Sequence, residues 1–282
     1  MFENNKFLRF LFKFLVILVI IKLILLFINF SFAFEINNSN FNFKINDKHI
    51  EANDKNYKDK RINFNDISNI KIIDSAKIIL KENKDCDEIL IKYYDSDDLK
   101  YDIGVKDDTL ILKNTNLKHK YKNLELNILL PKKTLKNIDI NNKNGDVDIN
   151  IYKSKNVIIK NTNGNIDVKI NSKVLKIKNL NGDININNNS DDVKIRNTNG
   201  NVYFNGVSND IKINNMNGKI NCDIKGNKDD YNINFKTVNG FTSINNIKID
   251  KNNKDLNINK NKNTNKNLNL KTFNGNIIIV FL

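Results

Sequence analysis

The chain has no tryptophan, one proline, two cysteines, two histidines and two methionines in 282 residues. Each scarcity closes off a class of answer. With only Cys86 and Cys222 there is no disulfide framework, and Cys222 falls among aliphatic positions where cysteine serves as a small hydrophobe, so no bridge between the two is expected. With only His49, in a polar stretch, and His119, between Lys118 and Lys120, both histidines read as solvated surface groups. A Ser/His/Asp or Cys/His mechanism then has no imidazole in the second half of the chain, and no Cys/His cluster has the spacing of a metal site. No cofactor and no metal are expected. Long hydrophobic runs are absent after residue 35, as is any convincing helical period.

What the chain has instead is Asn-Gly in near-constant step. The in-step glycines are Gly145, Gly164, Gly182, Gly200, Gly218, Gly240 and Gly275, at intervals of 19, 18, 18, 18, 22 and 35 residues. Seven residues before each stand Ile138, Val157, Leu175, Val193, Ile211, Ile233 and Leu268, and five before stand Ile140, Ile159, Ile177, Ile195, Ile213, Phe235 and Leu270. Two residues after come Val147, Ile166, Ile184, Val202, Ile220, Thr242 and Ile277, and four after come Ile149, Val168, Ile186, Phe204, Cys222, Ile244 and Ile279. Each repeat is therefore two short strands of period 2, joined by a turn in which Asn and Gly accept positive φ. With Lys254 in the glycine slot, Ile247, Ile249, Leu256 and Ile258 fall in the same four lanes, which predicts a hidden eighth repeat inside the long interval.

Asn-Gly between alternating strands also fits a meander of hairpins. The polar lane three residues before the glycine, Asn142, Asn161, Asn179, Asn197, Asn215, Thr237 and Thr272, favours stacking, because identical amides about 4.8 Å apart can bond up a stack as a ladder. The expected class is all-β: a β-solenoid or stacked β-ladder of about 18-residue repeats, preceded by one N-terminal hydrophobic helix.

Lys6, Arg9 and Lys13 precede an apolar run from Phe14 to Phe30 interrupted by Lys22 and Asn29. A basic flank before such a run predicts export across a membrane. Two outcomes stay open, an uncleaved anchor over about Phe7 to Phe30 and a signal peptide cleaved after Ala33 in Ser31-Phe32-Ala33. The formal charge is +14, and loss of residues 1–33 would leave +11. That balance favours an anionic envelope polymer, an acidic glycan or a membrane surface, whereas export removes nucleic acid as the default partner.

The expected organisation is 1–33 signal peptide or anchor, 34–61 polar linker, 62–135 irregular β region and N-terminal cap, and 136–282 regular array. Strands are expected over 70–73, 77–80, 89–94, 99–105, 109–113 and 123–130. Tyr101, Ile103, Leu110 and Leu112 match the four lanes around Asp108, as though the first half were a decayed start of the same stack. Strand Leu124 to Leu130 leads into Leu130-Pro131-Lys132-Lys133, then Ile138-Asp139-Ile140, then Asn144-Gly145-Asp146-Val147-Asp148-Ile149. That succession, over roughly Ile62 to Leu282, resembles the bacterial "putative adhesin" family of β-strand-repeat domains, a domain of unknown function. The resemblance implies a β-ladder or solenoid tied to a membrane segment in the bacterial cell envelope, with no catalytic residues to carry over.

Three function classes compete. The favoured one is a non-enzymatic, adhesin-like protein whose basic stripe, Lys160, Lys176, Lys178, Lys194, Arg196 and Lys212, flanked by Lys236 and Lys271, faces away from the apolar lanes and docks an anionic surface. The second is a carbohydrate-active enzyme using Asp146, Asp148, Asp167 and Asp183, on the outward side of three adjacent rungs. Against it, later repeats carry Asn185, Asn201 and Asn221 there, as a solvated turn face would. The third is a structural stack that self-associates through its last strand, Asn276 to Leu282.

Overall fold

The computed structural model describes residues 50–51, 56–83, 87–117, 121–249, 255–258 and 264–282, all within one compact unit, Lys48–Leu282. Neither strand of a repeat can bury its apolar side alone, and the chain solves this by winding. From Gly145, Gly164, Gly182 and Gly200 it runs out along one limb, bends, and returns along a second limb to the next Asn-Gly. Val147–Asn163, Ile166–Asn181, Ile184–Asn199 and Val202–Asn217 are each one such circuit. Successive circuits pair in parallel, Ile166 with Ile184 and Ile184 with Val202 on the outgoing limb, Leu175 with Val193 and Val193 with Ile211 on the return.

The four apolar lanes meet between the limbs in one continuous core, and all 28 of their residues are at most 5% exposed. Four buried side chains per circuit contribute on the order of 6–12 kcal/mol of gross hydrophobic stabilisation, most of it offset by the entropy of ordering the chain. The single 19-residue interval is a β-bulge: the register of Val147–Asn163 on the next circuit shifts between Asn150 and Lys153, leaving Tyr152 half exposed. At the bend between limbs lies a buried serine lane, Ser154, Ser172, Ser190 and Ser208. Its hydroxyls supply hydrogen bonds where the backbone turns: Ser154 donates to the Asn156 carbonyl and Ser208 to those of Asp191 and Asp210.

Chain order and stacking order part company at the C-terminal end. The layer on the Gly218 circuit is Lys266–Asn274 with Ile277–Phe281, since Ile211 faces Leu268 and Ile220 faces Ile277. Tyr231–Asn239 and Thr242–Ile244 lie on the far side of that layer. The last three glycines therefore stack in the order Gly218, Gly275, Gly240. Beyond them Ile247–Ile249 runs antiparallel to Thr242–Ile244, and Asp255–Ile258 antiparallel to Ile233–Lys236. This overturns the eighth repeat: Ile247 is 71% exposed, and Ile249, Leu256 and Ile258 belong to an antiparallel cap, Lys254 itself lying outside the described residues. Alternation has period 2 in either direction, so the lanes alone do not reveal which way a strand runs. Nor is the last strand a free apolar edge. Ile277–Ile279 is paired on both flanks, and only Val280 and Phe281 are paired on one flank alone, which leaves little of Asn276–Leu282 as the open edge expected for self-association.

The N-terminal end repeats the device. Asn69–Asp74 and Lys77–Glu82 form a layer between the Gly145 circuit and a layer made of Thr109–Asn114 and Glu125–Leu130. Antiparallel strands Tyr101–Lys106, Glu88–Tyr94 and Tyr57–Asn63 close the end. Leu110 and Leu112 therefore continue the lanes of Ile138 and Ile140 by way of Ile70 and Ile72, not the lanes after the glycine to which the Asp108 alignment assigned them. Tyr57–Asn63, placed mostly in the polar linker, is a strand of this cap, and Ile50–Glu51 pairs with Tyr121–Lys122. Among the described residues no helix is long and apolar enough to cross a membrane. The apolar run Phe14 to Phe30 and the Ala33 site lie outside them.

Candidate functional site

The turn column explains why glycine recurs. In Gly182 a Cβ would lie 2.1 Å from the Gly164 carbonyl oxygen, and in Gly200 2.2 Å from that of Gly182, so the turns stack with no room for a side chain even apart from their positive φ. The amide ladder lies two residues nearer the glycine than sequence reasoning put it. Asn163 donates through Nδ2 to Oδ1 of Asn144 (2.8 Å), and Asn181, Asn199, Asn217, Asn274 and Asn239 continue the chain at 2.7–2.8 Å each. This position, directly before the glycine, is Asn in all seven repeats; that constancy was the missed signal. The inner lane does another job. Asn161 donates to the carbonyls of Gly145 and Gly164, and Asn179 to those of Gly164 and Gly182, at 3.1–3.3 Å. Thr237 and Thr272 do the same with their hydroxyls. The lane requires a donor; the buried Oδ1 atoms of Asn142, Asn161, Asn179, Asn197 and Asn215 accept nothing.

On the outer side of the return limb, parallel register assembles the basic stripe. Lys160 stands beside Lys178 and Lys178 beside Arg196, while Lys176, Lys194 and Lys212 form the adjoining column. Lys271 and Lys236 continue the first column after Asn214. Neighbouring members are about 4.8 Å apart along the stack. Partial burial, then the charges of Arg196 and Lys160, hold the Lys178 ammonium below the usual lysine range. Lys194 is moved the other way by its hydrogen bond to Asp192, 2.8 Å away.

The four carboxylates do not converge as a catalytic set. Asp146 and Asp183 use Oδ1 to accept the backbone N–H of Asn165 and Asn201 in the next circuit, each at 2.7 Å. Asn165 and Asn201 do likewise for Asp183 and Lys219, which accounts for the interchange of Asp and Asn at this position: either supplies the acceptor. Asp148 pairs with Lys81 at 3.1 Å and neighbours Asp167, whose carboxyl is raised by desolvation first and by Asp148 second. Asp167 also lines a shallow depression of about 370 Å³ on the outgoing limb, together with Asn185, Tyr203, Asn205, Asn221 and Asp223. Among the described residues no group of three or more His, Cys, Asp or Glu could hold a metal. Cys222 is free and buried, and burial pushes its thiol well above the ordinary range. Cys86, His49 and His119 lie outside the described residues.

Residues 167–280 match the family described as Toastrack DUF4097. Among solved structures, the chain is similar to a "putative cell adhesion protein" from Clostridium sporogenes (17% identity, covering 80% of this chain and 99% of that one, TM-score 0.37). It is similar also to a "putative adhesin" from Bacteroides fragilis (14%, 83% and 100%, TM-score 0.44). A third is a "putative lipid binding protein" from Parabacteroides distasonis (14%, 83% and 100%, TM-score 0.47). No curated protein matches the chain. The matched stretch, residues 167–280, takes in the circuits from Ile166–Asn181 to the inserted last strand, and over those residues the chain is similar to the Toastrack family.

Proposed function

We propose that this is a non-enzymatic, adhesin-like protein of the cell envelope, exported and held at the membrane by its N-terminal apolar segment, whose basic stripe docks an anionic polymer or membrane surface. The observation that carries the reading is the register of Lys160, Lys178 and Arg196 beside Lys176, Lys194 and Lys212. Like charges on neighbouring strands, with flexible stems in a solvated face, repel by on the order of 1 kcal/mol per pair before salt screening. A ligand with evenly spaced anionic groups relieves that repulsion, so the strain within the stripe becomes affinity. The engagement of Asp146 and Asp183 in the turns supports the absence of a catalytic pair.

Binding to phosphatidylglycerol vesicles and to polyphosphate tests the reading. Affinity should fall steeply as salt rises, and replacing Lys178, Lys194 and Arg196 together by Gln should cost far more than replacing Lys106, Lys219 and Lys225, which lie off the stripe. Equal losses from the two triple variants would leave only nonspecific charge attraction. A second reading, a neutral glycan on the outgoing limb, is favoured by the depression around Tyr203, where an exposed ring and several amides offer stacking and hydroxyl recognition. Chito-oligosaccharide binding that is lost in Tyr203→Ala and insensitive to salt would select it.

A further inference from the structure

Asn-Gly is the dipeptide most prone to spontaneous loss of the side-chain amide, because the glycine nitrogen meets no side chain as it closes on the preceding Cγ. The stack contains eight such pairs, the seven turns and Asn205-Gly206. Six of the seven turn glycines have their nitrogen tied. The N–H of Gly145 donates to the Asn163 carbonyl, Gly164 to Asn181, Gly182 to Asn199, Gly200 to Asn217, Gly218 to Asn274 and Gly275 to Asn239, all at 2.8–2.9 Å. Asn205-Gly206 lies inside the strand Val202–Asn217, paired in register on both flanks.

Gly240 is different in three respects. It is the last glycine in the column, and among the described residues no group accepts its N–H. It alone of the seven turn glycines lacks a positive φ. Asn239, exposed as Asn163 and Asn199 are, is the last ladder member among the described residues: it donates to Asn274 at 2.7 Å, and none of them donates to its own Oδ1. We infer that Asn239 is a site of spontaneous deamidation, shielded turns below it being preserved by the same stacking that leaves it open.

The chemistry needs only water. The Gly240 nitrogen, its proton taken by solvent base, bonds to Asn239 Cγ; the Cγ–Nδ2 bond breaks and the amide leaves as ammonia, giving a five-membered succinimide. Water then adds to one imide carbonyl. Cleavage of the N–Cγ bond gives aspartate, and cleavage of the bond from nitrogen to the backbone carbonyl gives isoaspartate. Either product sets a carboxylate against Oδ1 of Asn274 in place of a donor, and isoaspartate also lengthens the backbone three residues before Thr242–Ile244, the strand that flanks the last insert. The event would loosen the C-terminal cap as the protein ages.

The test is peptide mass spectrometry of the full-length chain incubated in mildly alkaline buffer, with isoaspartyl methyltransferase labelling to identify the product. The peptide holding Asn239 should deamidate at least about tenfold faster than those holding Asn163, Asn181 and Asn199, the factor imposed by ~1.4 kcal/mol of local opening. In denaturant the four should converge. Asn239→Gln, which would close the larger ring slowly, should abolish the fast site and leave the others unchanged. Similar rates at all four positions in the folded protein, or a gap that persists in denaturant, would overturn the inference.

Discussion

Alanine at position 200 would bring its Cβ to within 2.2 Å of the Gly182 carbonyl oxygen at a φ of 125°. Two turns would have to separate to admit it, so Gly200→Ala should cost at least ~3 kcal/mol in chemical denaturation. Gly104, with nothing within 4 Å of its added Cβ, is the control, and Gly104→Ala should stay within about 0.5 kcal/mol. Repeating Asn-Gly was legible as a turn. The stacking contact was not, because the atom that forbids a side chain belongs to another repeat. The same holds for Lys178. Its folded pKa is depressed, so between that value and the unfolded one the unfolded chain binds more protons and stability rises with pH, while at neutral pH the charge opposes folding. Lys178→Gln should therefore leave stability unchanged or slightly raised, by no more than about 0.5 kcal/mol after solvent screening, with no fall in melting temperature, while weakening polyanion binding. A clear fall in Tm would show the lysine to be structural.

The strands themselves follow from the residues at the level of lanes: alternation identified which side chains point inward, and burial to 5% or less in all four lanes reflects it. Direction and neighbour order were not legible, because an alternating strand presents the same face whether it runs parallel or antiparallel, and because pairing with a layer 35 to 57 residues away in sequence leaves no local mark. Ile247 and Ile213 separate the two readings of the C-terminal end. A true repeat would bury both. As the cap is built, Ile247→Ala should cost less than about 0.5 kcal/mol, whereas Ile213→Ala, at 0% exposure, should cost about 2–5 kcal/mol. Comparable losses in urea titrations of the two variants would restore the eighth repeat.

That the basic residues share one outward column was legible because residues alternating with buried ones must face out; what required the structure was Asp192 beside Lys194 and the carboxylates' use as acceptors in the turns. At the scale of the whole molecule the consequence is a middle that is modular between ends that are not. Each interior circuit touches only the circuits above and below it, and the antiparallel caps, with Lys58, Asp59, Lys60 and Arg61 on the outermost N-terminal strand, blunt the edges through which a stack could grow. Deleting residues 183–200 removes one whole circuit and joins Gly182 to Asn201, so that Ile166 meets Val202 and Leu175 meets Ile211, partners that already share its lanes. That variant should fold with a single cooperative transition and a lower Tm. Deleting 184–200 instead leaves one extra residue, and a slip of one turns every following side chain to the wrong face unless a bulge absorbs it, as the Asn150–Lys153 irregularity does in the 19-residue repeat. The second variant should therefore lose several kcal/mol more than the first or fail to fold. The 18-residue deletion also takes out Lys194 and Arg196 while bringing Lys176 beside Lys212, so polyanion binding should weaken in a chain that remains folded. If the 17-residue deletion proved the more stable of the two by circular dichroism melts, the winding of one circuit per repeat would be wrong.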